Sequence, residues 1–270
     1  QYTLSENPSI KIGIGKYGNL DFHSSTSELE EVLDSEMSKA DERAATIENE
    51  RKNKIYSTGF IDDLKRHERF YGKSADISAI EKMLVLSFDE PLLYGKHGLK
   101  NPPEGRNDAV QNLERIAAFM DRDISELKMP ILSKDGAYGD AFNKALLYSA
   151  LGRAHGLDVY PVIAGDMVFA GYSVHENDKL YWDIVNSRIE DEKSLRIRMS
   201  NTMTSRNTNL LELKGDLRSG YLDYLIGSML NHDRRYEEAL GLLDTKVQAL
   251  EHNYGLHLER AKSFYGLGRH

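Results

Sequence analysis

The stretch YGDAFNKALLYSALGRAHGL, Tyr138 to Leu157, decides the fold. It reads as a helix entered through the Gly-bearing turn SKDGAYGD and closed near HGL, where Gly156 suits a C-cap. Three strand signals follow in DVYPVIAG, MVFAGYSVH and KLYWDIV, the last two joined by a tight END turn. A helix feeding an antiparallel sheet predicts an α+β arrangement.

Upstream of that helix, SIKIGIG alternates with period two and predicts a strand, and GKYGN reads as the turn after it. From Thr26 to about Tyr71 the chain is charged and amphipathic, and STSELEEVL carries a Ser/Thr N-cap with an acidic first turn, so long helices are expected. DISAIEKMLVLSF predicts a further helix and KNPPEGRN a loop. DAVQNLERIAAFM returns to helical spacing with Val110, Leu113, Ile116 and Ala117 on one face. Downstream, RIEDEKSLRIRMSNTMTSRNT reads as polar and irregular, and the chain from Leu210 onward as helical. The charged helices, DSEMSKADERAATIENERKNK among them, are solvated faces or a partner-binding coiled segment.

At 270 residues the chain is long enough for one large domain or two smaller ones, and 40% hydrophobic with 29% charged residues is ordinary for a folded protein. Thirty-five Lys and Arg against 43 Asp and Glu leave a net charge of −8, which disfavours nucleic acid as a partner. No apolar run approaches the ~18 residues of a membrane span. The chain has no cysteine, so disulfides, thiolate metal sites and thiol catalysis are excluded in this sequence. It begins with Gln1 and shows no signal-peptide core, which is expected of a removed leader or a trimmed chain alike, and localisation stays open.

GIGKYG places Gly13, Gly15 and Gly18 in a G-x-G-x-x-G pattern, read either as a phosphate cradle or as a Gly-rich β-turn. NLDFHSSTSE does not open a helix directly after it, and the Lys, Asp and metal motifs of a kinase do not follow. H-E-x-x-H and G-x-S-x-G are missing and the nine histidines are scattered, so neither a metal nor a cofactor is expected.

GDAFNKALLYSALGRAHGLDVYPV resembles the transglutaminase-like superfamily, whose members share a papain-like core. Gly139 and Asp140 lead in, Ala145 and Leu146 continue the helix, Gly156 and Leu157 close it, and Ala141 stands where the family carries cysteine. Such a cysteine gains from the helix dipole and free N–H groups at a helix start. LYWDIVNSR resembles the strand with a tryptophan shortly before the third triad member, which the resemblance assigns to Asn186 or, alternatively, Asp183. The family's histidine should begin MVFAGYSVH, between Phe169 and Tyr172, and no histidine stands there. Tyr172 takes the position, while His175 is either a solvated residue at a hairpin end or a displaced base. His155 lies about 21 Å from Ala141 along a helix, too far to serve one site. The resemblance spans about Ser133 to Arg188.

YLIGSMLNHDRRYEEALGLL and HLERAKSFYGLGRH align with an offset of 34 positions, Gly227 over Ala261 and Tyr236 over His270. This resembles the tetratricopeptide repeat, with Gly227 and Ala239 where two helices meet closely; an ordinary helical hairpin is the other reading. The expected organisation is an N-terminal strand, turn and helical region (1–75), a transglutaminase-like core (76–208) and tetratricopeptide-like helices (209–270).

Alanine cannot be a nucleophile, nor tyrosine replace imidazole as a base at neutral pH. The expectation is therefore a pseudoenzyme with vestigial positions Ala141, Tyr172 and Asn186, and His175 and Asp183 as lesser candidates, acting as a protein- or peptide-binding scaffold through its helical repeat or cleft. The alternative is a cysteine peptidase or protein-glutamine acyltransferase in which Ala141 replaces the nucleophile. A third reading is a helical structural domain whose match to the thiol fold is accidental.

Overall fold

The computed structural model describes residues 10–13, 19–22, 26–72, 76–94, 98–123, 129, 136–175, 178–202, 210–245, 250 and 253–269. The chain divides into two compact units, Gln1–Glu50 and Arg51–His270. In the first, β1 (Ile10–Gly13) pairs antiparallel with β2 (Asn19–Phe22), Ile10 opposite Phe22. The strand expected from SIKIGIG is β1; Gly15, Gly18 and most of the GKYGN turn lie outside the described residues. The helix α1 (Thr26–Ser57) starts in this unit and ends in the second.

Thr58 and Gly59 end α1. Thr58 Oγ1 donates to Ile55 O (2.6 Å), and Gly59 adopts φ 73°, a left-handed conformation that glycine takes without steric penalty. α2 (Phe60–Tyr71) buries Phe60, Ile61, Leu64 and His67 along one stripe. α3 (Ile77–Leu86) is capped by Asp76, whose carboxylate accepts from Ala79 N, and runs into a 3-10 turn at Ser87–Asp89. KNPPEGRN is irregular up to Arg106, where α4 (Arg106–Asp123) begins, burying Leu113, Ile116 and Ala117 with Val110 half-buried.

α5 (Gly136–Ala154) ends on Gly156 at φ 85°, as the sequence led one to expect. It feeds β3 (Val159–Ala164), β4 (Met167–His175) and β5 (Asp178–Asp183), all antiparallel. The sheet then extends at both edges to the order β6-β5-β4-β3-β7, with β6 at Arg188–Asp191 and β7 at Leu210–Glu212. The molecule is thus α+β, with one small five-stranded antiparallel sheet among the described residues.

Residues 188–202 correct the expectation of irregular chain. They form β6 and then α6 (Glu192–Thr202), whose first turn is capped by Asp191 accepting from Ser194 N at 2.7 Å. Leu195 and Met199, four apart, bury completely against Tyr160, Val162, Phe169 and Tyr181. Each such burial contributes about 1.5–3 kcal/mol, which outweighs the polar composition around it. The chain from Leu210 likewise starts as a strand, because Leu210–Glu212 completes the free edge of β3.

The opposite face of the sheet carries α5 and α4. Tyr148 stacks on Trp182 with ring centroids 6.3 Å apart and gives its hydroxyl proton to Leu113 O. The backbone of α5 rides directly on β3, since a Cβ at Gly152 would lie 2.5 Å from Val159 Cγ2. α7 (Asp216–His232), α8 (Tyr236–Thr245) and α9 (Tyr254–Gly266) pack in succession, and Phe142, Tyr221, Leu243 and Leu256 belong to one apolar core shared with α5. Gly227 meets α8 so closely that a Cβ there would sit 2.7 Å from Leu243 Cδ2, and Ala239 is fully buried.

Candidate functional site

The residues singled out by resemblance are dispersed by this architecture. Ala141 is the sixth residue of α5 and is buried. The free N–H groups of a helix are its first four, so the anion-stabilising end of α5 lies at residues 136–139, upstream of Ala141. Ala141 shares a helical stripe with Ala145, Tyr148 and Gly152, the stripe that meets the sheet through Trp182 and Val159.

Tyr172 and Asp183 leave the sheet on opposite faces. Side chains alternate along a strand. Tyr172 falls with Ala170, Leu180 and Trp182 on the α5 side, whereas Asp183 falls with Tyr181 and Phe169 on the α6 side. The Tyr172 hydroxyl is raised in pKa by burial and accepts a hydrogen bond from Asn112, whose amide also pairs with the backbone of Lys100 in both directions. It is a packing group held from α4.

Asp183 is fully engaged. Its Oδ1 accepts from Val185 N and Asn186 N (3.0 and 2.9 Å), and its Oδ2 from Asn186 Nδ2 and Arg198 (2.9 and 2.5 Å). Burial alone would raise this carboxyl; the bonds from Arg198 and Asn186 outweigh it and hold the group below the usual carboxylate range. Arg198 also reaches Glu190 at 2.6 Å, as does Arg188 at 2.7 Å. Asn186 is an exposed turn residue tied to Asp183, and His175 is exposed at the end of β4, beyond an irregularity in register between Ser173 and His175. These five positions form no common cleft on one face of the sheet.

A different place in the unit is concave. α7 and α9 flank a cavity of about 650 Å³, which Tyr236 at the start of α8 also lines. Leu225 and Met229 line one wall, Leu258, Lys262 and Tyr265 the other. A buried polar network fastens the walls together. Asn231 Nδ2 donates to Glu259 O and Oε2 (2.7 and 3.0 Å), Ser263 Oγ donates to Asn231 Oδ1 (2.7 Å), and Lys262 Nζ donates to Glu259 Oε1 (2.6 Å). Leu258 and Tyr265 stay 42% and 75% exposed, so apolar surface is left facing the opening rather than folded away. Gly266 lets Tyr236 approach, since a Cβ there would lie 2.5 Å from the tyrosine ring.

None of these wall residues was singled out from sequence, yet the repeat offset contained them. Leu225 and Glu259, Ser228 and Lys262, Asn231 and Tyr265, and His232 and Gly266 are pairs 34 positions apart, and every one lines the cavity. Among the described residues no group of three or more His, Cys, Asp or Glu is placed to hold a metal ion, and no helix is long and apolar enough to cross a membrane. Comparison with protein-family models, with characterised proteins and with solved structures finds no match to this chain.

Proposed function

We propose that this chain is a non-catalytic transglutaminase-like domain whose tetratricopeptide-like helices form a peptide-binding scaffold. The observation that carries the reading is the cavity between α7 and α9, whose two walls are built from positions one repeat length apart and whose polar floor is internally satisfied. Equivalent first helices of successive repeats facing one groove is the arrangement by which helical arrays present a concave surface. A volume near 650 Å³ is in the range of binding clefts and takes a few side chains of a peptide rather than a folded domain. The pseudoenzyme part is supported by Tyr172 and Asp183 facing opposite sides of the sheet, and by Asp183 being bound to Arg198.

The alternative, a cysteine peptidase or glutamine acyltransferase with Ala141 in place of its nucleophile, draws support from the order of helix and strands alone. Two measurements separate the readings. Peptides selected on the wild-type protein from a random display library should lose at least tenfold in affinity to Leu258→Arg, which puts a charge in the groove wall without touching the Asn231–Glu259 network. Ala141→Cys should give a thiol with ordinary reactivity toward iodoacetamide and no turnover of peptide amides. Selected peptides that bind Leu258→Arg equally well would remove the groove, and a fast-reacting, hydrolytic Ala141→Cys would restore the enzyme reading.

A further inference from the structure

A second cavity, about 620 Å³, opens where α1 and α5 end, with Lys54, Phe88, Tyr94, Leu99, Arg153 and His155 in its walls. Its chemistry is set by one imidazole. His155 stacks on Phe88 with centroids 4.5 Å apart, and its Nε2 lies 3.0 Å from Ser87 Oγ. Ser87 is fully buried and has a single hydroxyl proton, which goes to Leu84 O at 2.6 Å. Ser87 Oγ is therefore the acceptor toward His155, and the imidazole carries its proton on Nε2. Burial, with the nearby Lys54 charge, pushes His155 down to about 4, so the ring is neutral at pH 7. A neutral ring protonated at Nε2 has a bare lone pair on Nδ1, and among the described residues no donor meets it. The Asn101 amide holds the adjoining backbone through Gly156 O at 3.0 Å.

The electrostatics at the mouth are one-sided. Among the described residues, Lys54 and Arg153 have no carboxylate partner and no Asp or Glu lines the cavity. Each cation stands in the last turn of its helix, where the dipole offsets roughly half a charge. Positive charge remains, in a chain whose net charge is −8. Arg153 is fixed in place by donating to Thr58 O at 3.3 Å.

We propose that this cavity binds a small organic oxyanion that carries a hydroxyl: the carboxylate or phosphate lies between Lys54 and Arg153, the hydroxyl donates to His155 Nδ1, and the carbon skeleton rests on Phe88 and Leu99. Long-range ¹H–¹⁵N spectra of the full chain at pH 7 test the first premise, with the His155 proton expected on Nε2. Calorimetry with two matched pairs tests the rest: malate against succinate, and glycerol 3-phosphate against propyl phosphate. In one pair the hydroxylated member should bind at least tenfold more tightly than its counterpart and move the His155 Nδ1 resonance; which pair does so assigns carboxylate or phosphate. Lys54→Met with Arg153→Met, both at exposed positions, should weaken that probe at least tenfold with the thermal midpoint within about 4 °C of wild type. A proton found on Nδ1, no response of His155 to any of the four probes, equal affinity within both pairs, or binding that survives the double substitution would each overturn the proposal.

Discussion

The imidazole of His155 lies flat on Phe88 with its Nε2 against a buried serine, so a proton added to it gains little solvation. Its pKa in the folded protein, about 4, lies below its ordinary value of 6.5. Between those values the unfolded chain holds a proton that the folded protein refuses. The stability that depends on a neutral His155 is complete above pH 6.5 and is lost as the pH falls toward 4, by up to about 3 kcal/mol. Asp63 acts in the opposite sense. Burial raises its carboxyl to about 6, even though Arg218 lies 3.1 Å away and Arg66 adds a second positive charge, so its protonated form favours folding at acid pH and that contribution fades as the pH rises through 6. The wild-type profile mixes the two effects. The difference between wild type and His155→Gln, which keeps a donor for Ser87, isolates the first: in urea unfolding the advantage of wild type should shrink steadily from pH 7 to pH 4. An advantage that is constant or grows over that interval would show that His155 is protonated in the folded state.

At the scale of single elements, α6 is held to the sheet by two different forces. Leu195 and Met199 supply apolar burial, and Arg198 closes a clamp on Asp183 and Glu190, two carboxylates that are both almost wholly buried. Removing a shared cation from buried carboxylates leaves charge without compensation, which costs about 3–5 kcal/mol for an isolated pair. Here Asp183 keeps Asn186 and two backbone donors, and Arg188 still reaches Glu190, so Arg198→Met should destabilise by about 2–3 kcal/mol in chemical denaturation. A loss below about 0.5 kcal/mol, the usual scale of an exposed surface change, would show that the clamp is solvated. The same clamp explains what the sequence concealed. β3, β4 and β5 were legible because Val, Ile, Tyr and Trp alternate or run together there with turns between them. β6 and α6 were not, because Arg188, Glu190 and Arg198 count as polar in any pattern, although their charges are spent on one another against the sheet. β7 has only three residues and owes its conformation to a partner strand some fifty positions away. For the candidate site, the helix around Ala141 was legible and the geometry was not: which face Tyr172 and Asp183 occupy follows from the pairing of Tyr172 with Leu180 and Phe169 with Asp183, a register set across the hairpin.

For the molecule as a whole, the division at Glu50 coincides with a change in burial along α1. Residues 37–50 of that helix are exposed without exception, and the ion pair of Lys39 with Glu36 faces solvent, where such pairs contribute little. From Arg51 onward the helix belongs to the second unit and its core: Arg51 makes a two-pronged bond to Asp89 (2.7 and 2.6 Å), and Ile55 is fully buried. A helical stretch that buries little surface draws mainly on propensity and side-chain pairs and opens locally at low free energy. Amide exchange in the intact chain should therefore change sharply within one continuous helix. Amides of residues 38–48 should exchange at least a hundredfold faster than those of residues 142–152 in α5, with the rise in protection beginning near Ile55. Uniform protection from Glu36 to Ser57 would mean that residues 37–50 are held by more than the helix itself supplies.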